Sequence, residues 1–428
     1  MRSREPLLTV VRQHAEESVG LRHVRSVLLR SPHAGLFALR RHDERIAAHL
    51  DGLAVAGPAG IEAAQAALDP PTAGGVFAAA VGALQGRDAP ALTRLVSMAA
   101  QSPEAERGFL SALGWVSAED LQGTVRALLG SKEPVHRAWA LAACAMHRVD
   151  PGPALVQGVQ DAAPGVQARA WRVAAELGRR DLAPLAQACV TPSADAVSVS
   201  RAAAAALTCW GLGHTEPVRQ ALLRPDPERA LPPLDVHRLA VLAAPLDWGR
   251  EQVRALAAQA EASLPIKRRM MRLAADLGDP QILPWLIQHM AQDRWARLAG
   301  EAFSQITGVD LAAQGLDRPA PDSEAPAPSD DPQDLDVALD EDDNLPWPDA
   351  AKVQAWWRDE GARFTPGQRH VFGQTPAHDH LMHRLQTGGQ RQRGLAAQHL
   401  RLLNPAAGLF PIAAPAWRQQ RWLTQGAH

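Results

Sequence analysis

The chain has 428 residues, too many for one ordinary core, so it calls for two or three domains or for one elongated array. Aromatic residues make up 4% of it, Tyr is absent, and the 46% apolar fraction is dominated by Ala and Leu, which lose little on entering a helix. With 44 basic against 46 acidic residues, no global field recruits nucleic acid or an anionic bilayer, so neither is expected as a partner.

Residues 1–70 read as an N-terminal helical region ending in RRHDERIAAHLDGLAVAG. The opening stretch has charges first, but its apolar run of roughly five residues is short of a secretory core, and no stretch reaches a membrane span. A cytoplasmic protein is expected. Within this region Asp43 and Glu44 look like first-turn charges of a helix start, which outweighs an acid–base reading of Glu44, His49 and Asp51.

From residue 71 to 315 the chain repeats itself. Arg137, Arg169 and Arg201 fall at intervals of 32 residues, and related copies follow at Arg238 and Arg269, with a weaker one earlier at Arg107. VQARAWRVAAELGRRDLAPL, from 166, aligns with IKRRMMRLAADLGDPQILPW, from 266. Periods near 30 residues, broken by Gly, Pro and Asp between two helical stretches, mark a helical solenoid in which each pair buries its apolar stripe on its neighbours. The expected class is therefore an all-α, HEAT-like α-solenoid with helical N- and C-terminal extensions. Trp139 and Trp171 hold one place in the repeat and are expected in its core. Gly178, Gly213 and Gly278 follow Leu and are expected to end helices left-handed. Arg137, Arg169, Arg201 and Arg269 either bond a loop carbonyl or acid of the next unit, which is the favoured reading, or form an outward row that binds protein. Cys144, Cys189 and Cys209 sit in Ala-rich helical text and read as reduced structural thiols. Positive charge is nearly all Arg, which GC-rich coding explains more simply than anion recognition.

Residues 316–344, Pro-rich and strongly acidic, read as a disordered linker. A tether of this charge beside a row of Arg also suggests docking that masks a surface. The last stretch, 345–428, reads as a C-terminal helical module. Its segment PAWRQQRWL, with Trp417, Arg418, Arg421 and Trp422, is the best candidate for an exposed protein-docking site, since Trp and Arg carry interface hot spots.

The sequence holds no GxxxxGK[ST] phosphate loop, GxSxG elbow, HExxH or CxxC motif. In AHDHLMH, His380 and His383 share a helix face while His378 does not join them, so solvated histidines are favoured over a metal site. No catalytic residue, cofactor or metal is expected.

Three blocks together, RRHDERIAAHLDGLAVAG, the repeats around VQARAWRVAAELG, and LPWPDAAKVQAWW with RQRGLAAQHL and WRQQRWL, resemble a proteobacterial family of HEAT-repeat proteins often encoded near type VI secretion components. The resemblance spans nearly the whole chain and supplies no functional residues to carry over. It implies a cytosolic accessory protein, an adaptor or chaperone for a secreted effector. The resulting expectation is a non-enzymatic protein-binding scaffold. Two alternatives stand beside it: a cofactor- or metal-dependent lyase or hydroxylase built on such repeats, and a structural subunit of a larger assembly.

Overall fold

The computed structural model describes residues 5–191, 197–226, 231–261, 263–321 and 340–426. Among them are 22 α-helices and a single two-residue antiparallel β pair, Asp317–Arg318 with Trp347–Pro348. The fold is an all-α solenoid.

Helix boundaries follow local chemistry. Pro103, Pro134 and Pro164 each open a helix at the position where the missing N–H and fixed φ are harmless. Thr72 and Ser102 cap their helices by accepting the N–H of Gly75 and Ala105. At the other end, Gly178, Gly278 and Gly308 take φ of 69°, 67° and 74°, which a side chain resists. The expectation for Gly213 fails by two residues. The helix Val197–Cys209 ends earlier, so Gly211, at φ 77°, makes the left-handed turn, while Gly213 abuts Thr208.

Eight helices form a first layer, each packed on the next: Ala73–Gln85, Pro103–Trp115, Pro134–Met146, Pro164–Glu176, Val197–Cys209, Leu234–Ala243, Leu264–Leu277 and Asp293–Thr307. A second layer covers them with Ala89–Gln101, Thr124–Leu129, Pro153–Val159, Ala183–Cys189, Glu216–Leu223, Leu246–Ala260 and Leu283–Met290. Trp139 and Trp171 are 2% and 0% exposed, and the Trp139 indole donates to Glu106 of the preceding unit at 2.7 Å. The apolar clusters follow one another along the stack, from Ile46 to Trp139, from Leu141 to Ala240, and on through Leu277 to Ile306. These successive clusters, one repeat's core following the next, are of the kind stacked repeats build.

Neither end is a separate body. Leu8–Leu28 and Leu36–Val55 pack on each other and on Ala73–Gln85, extending the stack. Asp43 therefore lies inside a helix that begins at Leu36, and not at its start. At the far end, Val353, Trp356 and Trp357 of Ala350–Glu360 join the core of the last repeat. The boundary expected at 345 thus falls within one apolar cluster. The described ends of the acidic segment also differ from a linker: Leu316 is buried, Asp317 and Arg318 pair with Trp347 and Pro348, and Asp342 is 6% exposed. Residues 322–339 of that expected linker lie outside the described residues.

Trp171→Ala leaves a void between repeats and is expected to lower unfolding free energy by about 3–5 kcal/mol in a denaturant titration; a loss below ~1 kcal/mol contradicts the burial.

Candidate functional site: a row of helix ends and an arginine cluster

Every helix leaves its last carbonyls without intrahelical partners, and stacking the repeats lines these ends up along one edge. Residues 369–373 run along that edge toward the last repeat, and residues 405–422 cover it back toward the first. Phe372 and Gly373 donate their N–H groups to the Gln305 and Ile306 carbonyls at 2.7 and 2.9 Å, and His370 to Gly278 at 2.7 Å. Arg369 donates to the carbonyls of Val241, Leu242 and Ala244. Pro405 lies against Gly211, Leu409 donates to the Glu176 carbonyl at 2.8 Å, and the Arg148 guanidinium stands 5.7 Å from the Trp422 ring. Arg418 closes the sequence by donating to the carbonyls of Gly114, Trp115 and Val116 at 2.9, 3.1 and 2.8 Å. Seven consecutive first-layer helix ends are touched in this way, five of them through hydrogen bonds to their carbonyls.

The glycines at these ends permit the approach. A Cβ at Gly308 would stand 2.4 Å from the Phe372 carbonyl oxygen, and one at Gly278 2.4 Å from that of His370. Positive φ and close backbone contact are both met only by Gly here. The arginines supply positive charge to the negative ends of helix dipoles, and the planar fork reaches several carbonyls at once. Burial pulls the Arg369 and Arg418 guanidinium pKa down to about 10, which leaves both charged at neutral pH.

The last helix, Ala416–Thr424, is gripped by the first unit. The buried Asp43 carboxylate accepts the Ala416 N–H at 2.8 Å and pairs with Arg25 at 2.7 Å, while Arg25 also donates to the Ala413 and Ala414 carbonyls at 3.2 Å each. A carboxylate at a helix N-terminus is favoured by the dipole. So Arg418, expected as an exposed docking residue, is 5% exposed and docks on its own chain. Trp417 packs edge-on to Trp115 at 4.8 Å, Trp422 is half-buried against Phe410, and Arg421 is exposed.

The repeat arginines mostly bond within the stack. Arg137 pairs with Asp161 at 2.7 Å, Arg201 with Asp226, and Arg238 with Asp276 at 2.6 Å; Arg269 donates to the Pro232 carbonyl at 2.7 Å. Arg169 is half-buried near Arg172 and Glu176, with burial as the main force lowering its pKa.

A second set of arginines gathers around the acidic segment. Arg268 and Arg272 come from Leu264–Leu277, Arg297 from Asp293–Thr307, and Arg391 from Gln390–Leu403. Arg268 grips Asp342 with two bonds at 2.5 and 2.6 Å, Arg272 takes Glu341 at 2.8 Å, and Arg297 takes Asp340 at 2.5 Å. These guanidiniums hold the Asp342 and Glu341 carboxyls below their usual range despite burial. Arg391 joins both ends of the array: it donates to Glu301 of the last first-layer helix at 2.6 Å and to the Arg30 carbonyl of the first unit at 3.0 Å.

Other chemical groups are accounted for locally. His380 contacts the Val371 carbonyl, His378 contacts Asp379, and His14 and His49 face each other at 3.1 Å. Among the described residues no three His, Cys, Asp or Glu side chains are placed to hold a metal, and no helix is long and apolar enough to cross a membrane. The three cysteines are free thiols, and burial raises that of Cys144 to about 11. An open groove of about 780 Å³ runs beside Leu8–Leu28, lined by Glu16, Glu17, Arg22 and Glu104 among others. The fold and these contacts define a helical-repeat protein that binds segments of its own chain along its edge. The chain matches no protein-family model, no curated protein and no solved structure.

Two outcomes follow from this geometry. Gly308→Ala is expected to free the segment around Phe372, read as faster amide exchange in residues 369–376 with the repeats unaffected; unchanged exchange contradicts the close contact. His237 and His399, each 4% exposed, have pKa values pulled down to about 4 by burial, with Arg269 and Arg369 adding to it. Unfolding lets both take up protons at the higher ordinary value, so stability present above pH 6.5 is lost as pH falls toward 4, on the order of 3 kcal/mol each. Half-buried Glu176 and Glu301, whose carboxyl pKa values are raised by desolvation, act in the opposite sense. Thermal melts across that range are expected to show the loss, and His237→Leu to flatten it; parallel melting curves for the two proteins refute the assignment.

Proposed function

We propose that the chain is a non-catalytic helical-repeat scaffold that binds protein partners through its repeats. The observation that carries this reading is the docking of residues 369–422 over seven successive helix ends, which displays on the chain itself the way a solenoid holds a ligand chain. The segment is held largely through backbone carbonyls and buried arginine forks, chemistry suited to another polypeptide. Its seating also places Trp417 and Arg418 in an internal interface, which directs partner binding to the remaining surfaces of the array. On this reading the protein works in the cytoplasm, and its sequence resemblance supports a role beside type VI secretion, as adaptor or effector chaperone.

The test is cross-linked affinity capture of the tagged full-length chain from host cells expressing the secretion genes, with partners identified by mass spectrometry. Recurrent cross-links from the array to secretion-apparatus or effector proteins are expected. Recovery of the chain without partners removes the scaffold reading, and stoichiometric iron or zinc in the purified protein removes the non-catalytic one.

A further inference from the structure

We infer that Arg268, Arg272, Arg297 and Arg391 form a recognition site for an acidic peptide segment of a partner protein, a site that Asp340–Asp342 of the chain occupies in cis. The inference rests on the scaffold reading and names the chemistry of its partner.

Three features carry it. Four guanidiniums from three separate helices converge, two of them, Arg268 and Arg272, one turn apart on the same helix, where like charges repel. The array itself brings the carboxylate of Glu301, which bonds Arg391. Such a cluster is stable only with anionic company, and the acidic segment provides it.

The occupant is read as a peptide. Besides the three carboxylates, Arg391 donates to the Glu341 carbonyl and Arg297 to that of Asp342 at 3.3 Å. A surface that meets side-chain carboxylates and main-chain carbonyls of consecutive residues is fitted to a polypeptide, whereas a phosphate or a nucleic-acid backbone presents neither spacing.

The occupant is also replaceable. None of residues 340–344 belongs to an apolar cluster; they form a turn, with Asn344 at φ 64° and Asp343 exposed. Glu341 and Asp340 are 64% and 50% exposed in their side chains, and only Asp342 is buried. Attachment of this kind is ionic, sensitive to salt, and open to exchange with a segment of the same charge.

Fluorescence anisotropy tests the site with a fluorescein-labelled peptide of the sequence of residues 340–346, DEDDNLP, and the full-length chain. The neutralised variant D340N/E341Q/D342N is expected to bind the peptide about tenfold more tightly than the unmodified chain, with affinity falling as salt rises. Adding R268A/R272A to that variant is expected to abolish binding, and among the described residues these two arginines hydrogen-bond the acidic segment alone, so the repeats stay intact by circular dichroism and melting. On the unmodified chain, excess peptide is expected to speed amide exchange in residues 340–346, a readout that needs no substitution. Absence of binding by a folded neutralised variant together with unchanged exchange overturns the site, as does binding that survives R268A/R272A. Equal competition by oligothymidylate of matched charge overturns the peptide assignment. If cellular partners are captured equally by the R268A/R272A chain, this site falls while the scaffold reading stands; if the full-length chain captures none, the scaffold reading falls by its own test.

Discussion

The structure depends on how a stack of helices disposes of its terminal carbonyls. In an isolated helix these groups face water, but here the repeats bring helix end after helix end to one edge, and the chain lays its own last part across them. That single constraint explains several residues at once. Gly278 and Gly308 must lack a Cβ because a backbone passes at contact distance. Arg369 and Arg418 must be forked donors because each serves three carbonyls. A lysine at either place would be a point charge with no planar fork to share among them.

The arginines have a physical meaning in this fold. Some guanidiniums staple neighbouring loops, as Arg137 does with Asp161 and Arg250 with Asp279. Others hold separate stretches of chain together, as Arg25, Arg391 and Arg418 do. Arg418 does so through three backbone oxygens, while Arg25 and Arg391 divide their bonds between backbone oxygens and the acids Asp43 and Glu301.

The repeat, the helical class, the buried Trp139 and Trp171, and the left-handed Gly178 and Gly278 were all legible in the sequence, since periodicity and residue type report directly on packing. The docking of the C-terminal part was not. Its partners are main-chain groups, which leave no signature at the receiving positions, and the WRQQRWL text reads alike whether its target is internal or external. Asp43 was misplaced for a related reason: its helix opens at Leu36 behind Gly35, and the carboxylate answers a helix start 373 residues downstream. The acidic segment was read by average composition, which cannot register that arginines from three distant helices converge on its last few residues. Within the candidate site, Arg272 falls opposite Arg172 when the stretches from 166 and 266 are aligned, and nothing in the text around Arg297 or Arg391 marked them as its neighbours.

The grip of Asp43 on Ala416 also sets an order for folding on the ribosome. At ordinary rates of synthesis, the first unit is complete roughly 20–75 s before its partner helix emerges. The stack can assemble unit by unit in that interval, but with its edge of carbonyls bare and its circuit open. Until residues 369–422 follow, the edge of helix-end carbonyls lies open to water, and the docking of those residues covers it.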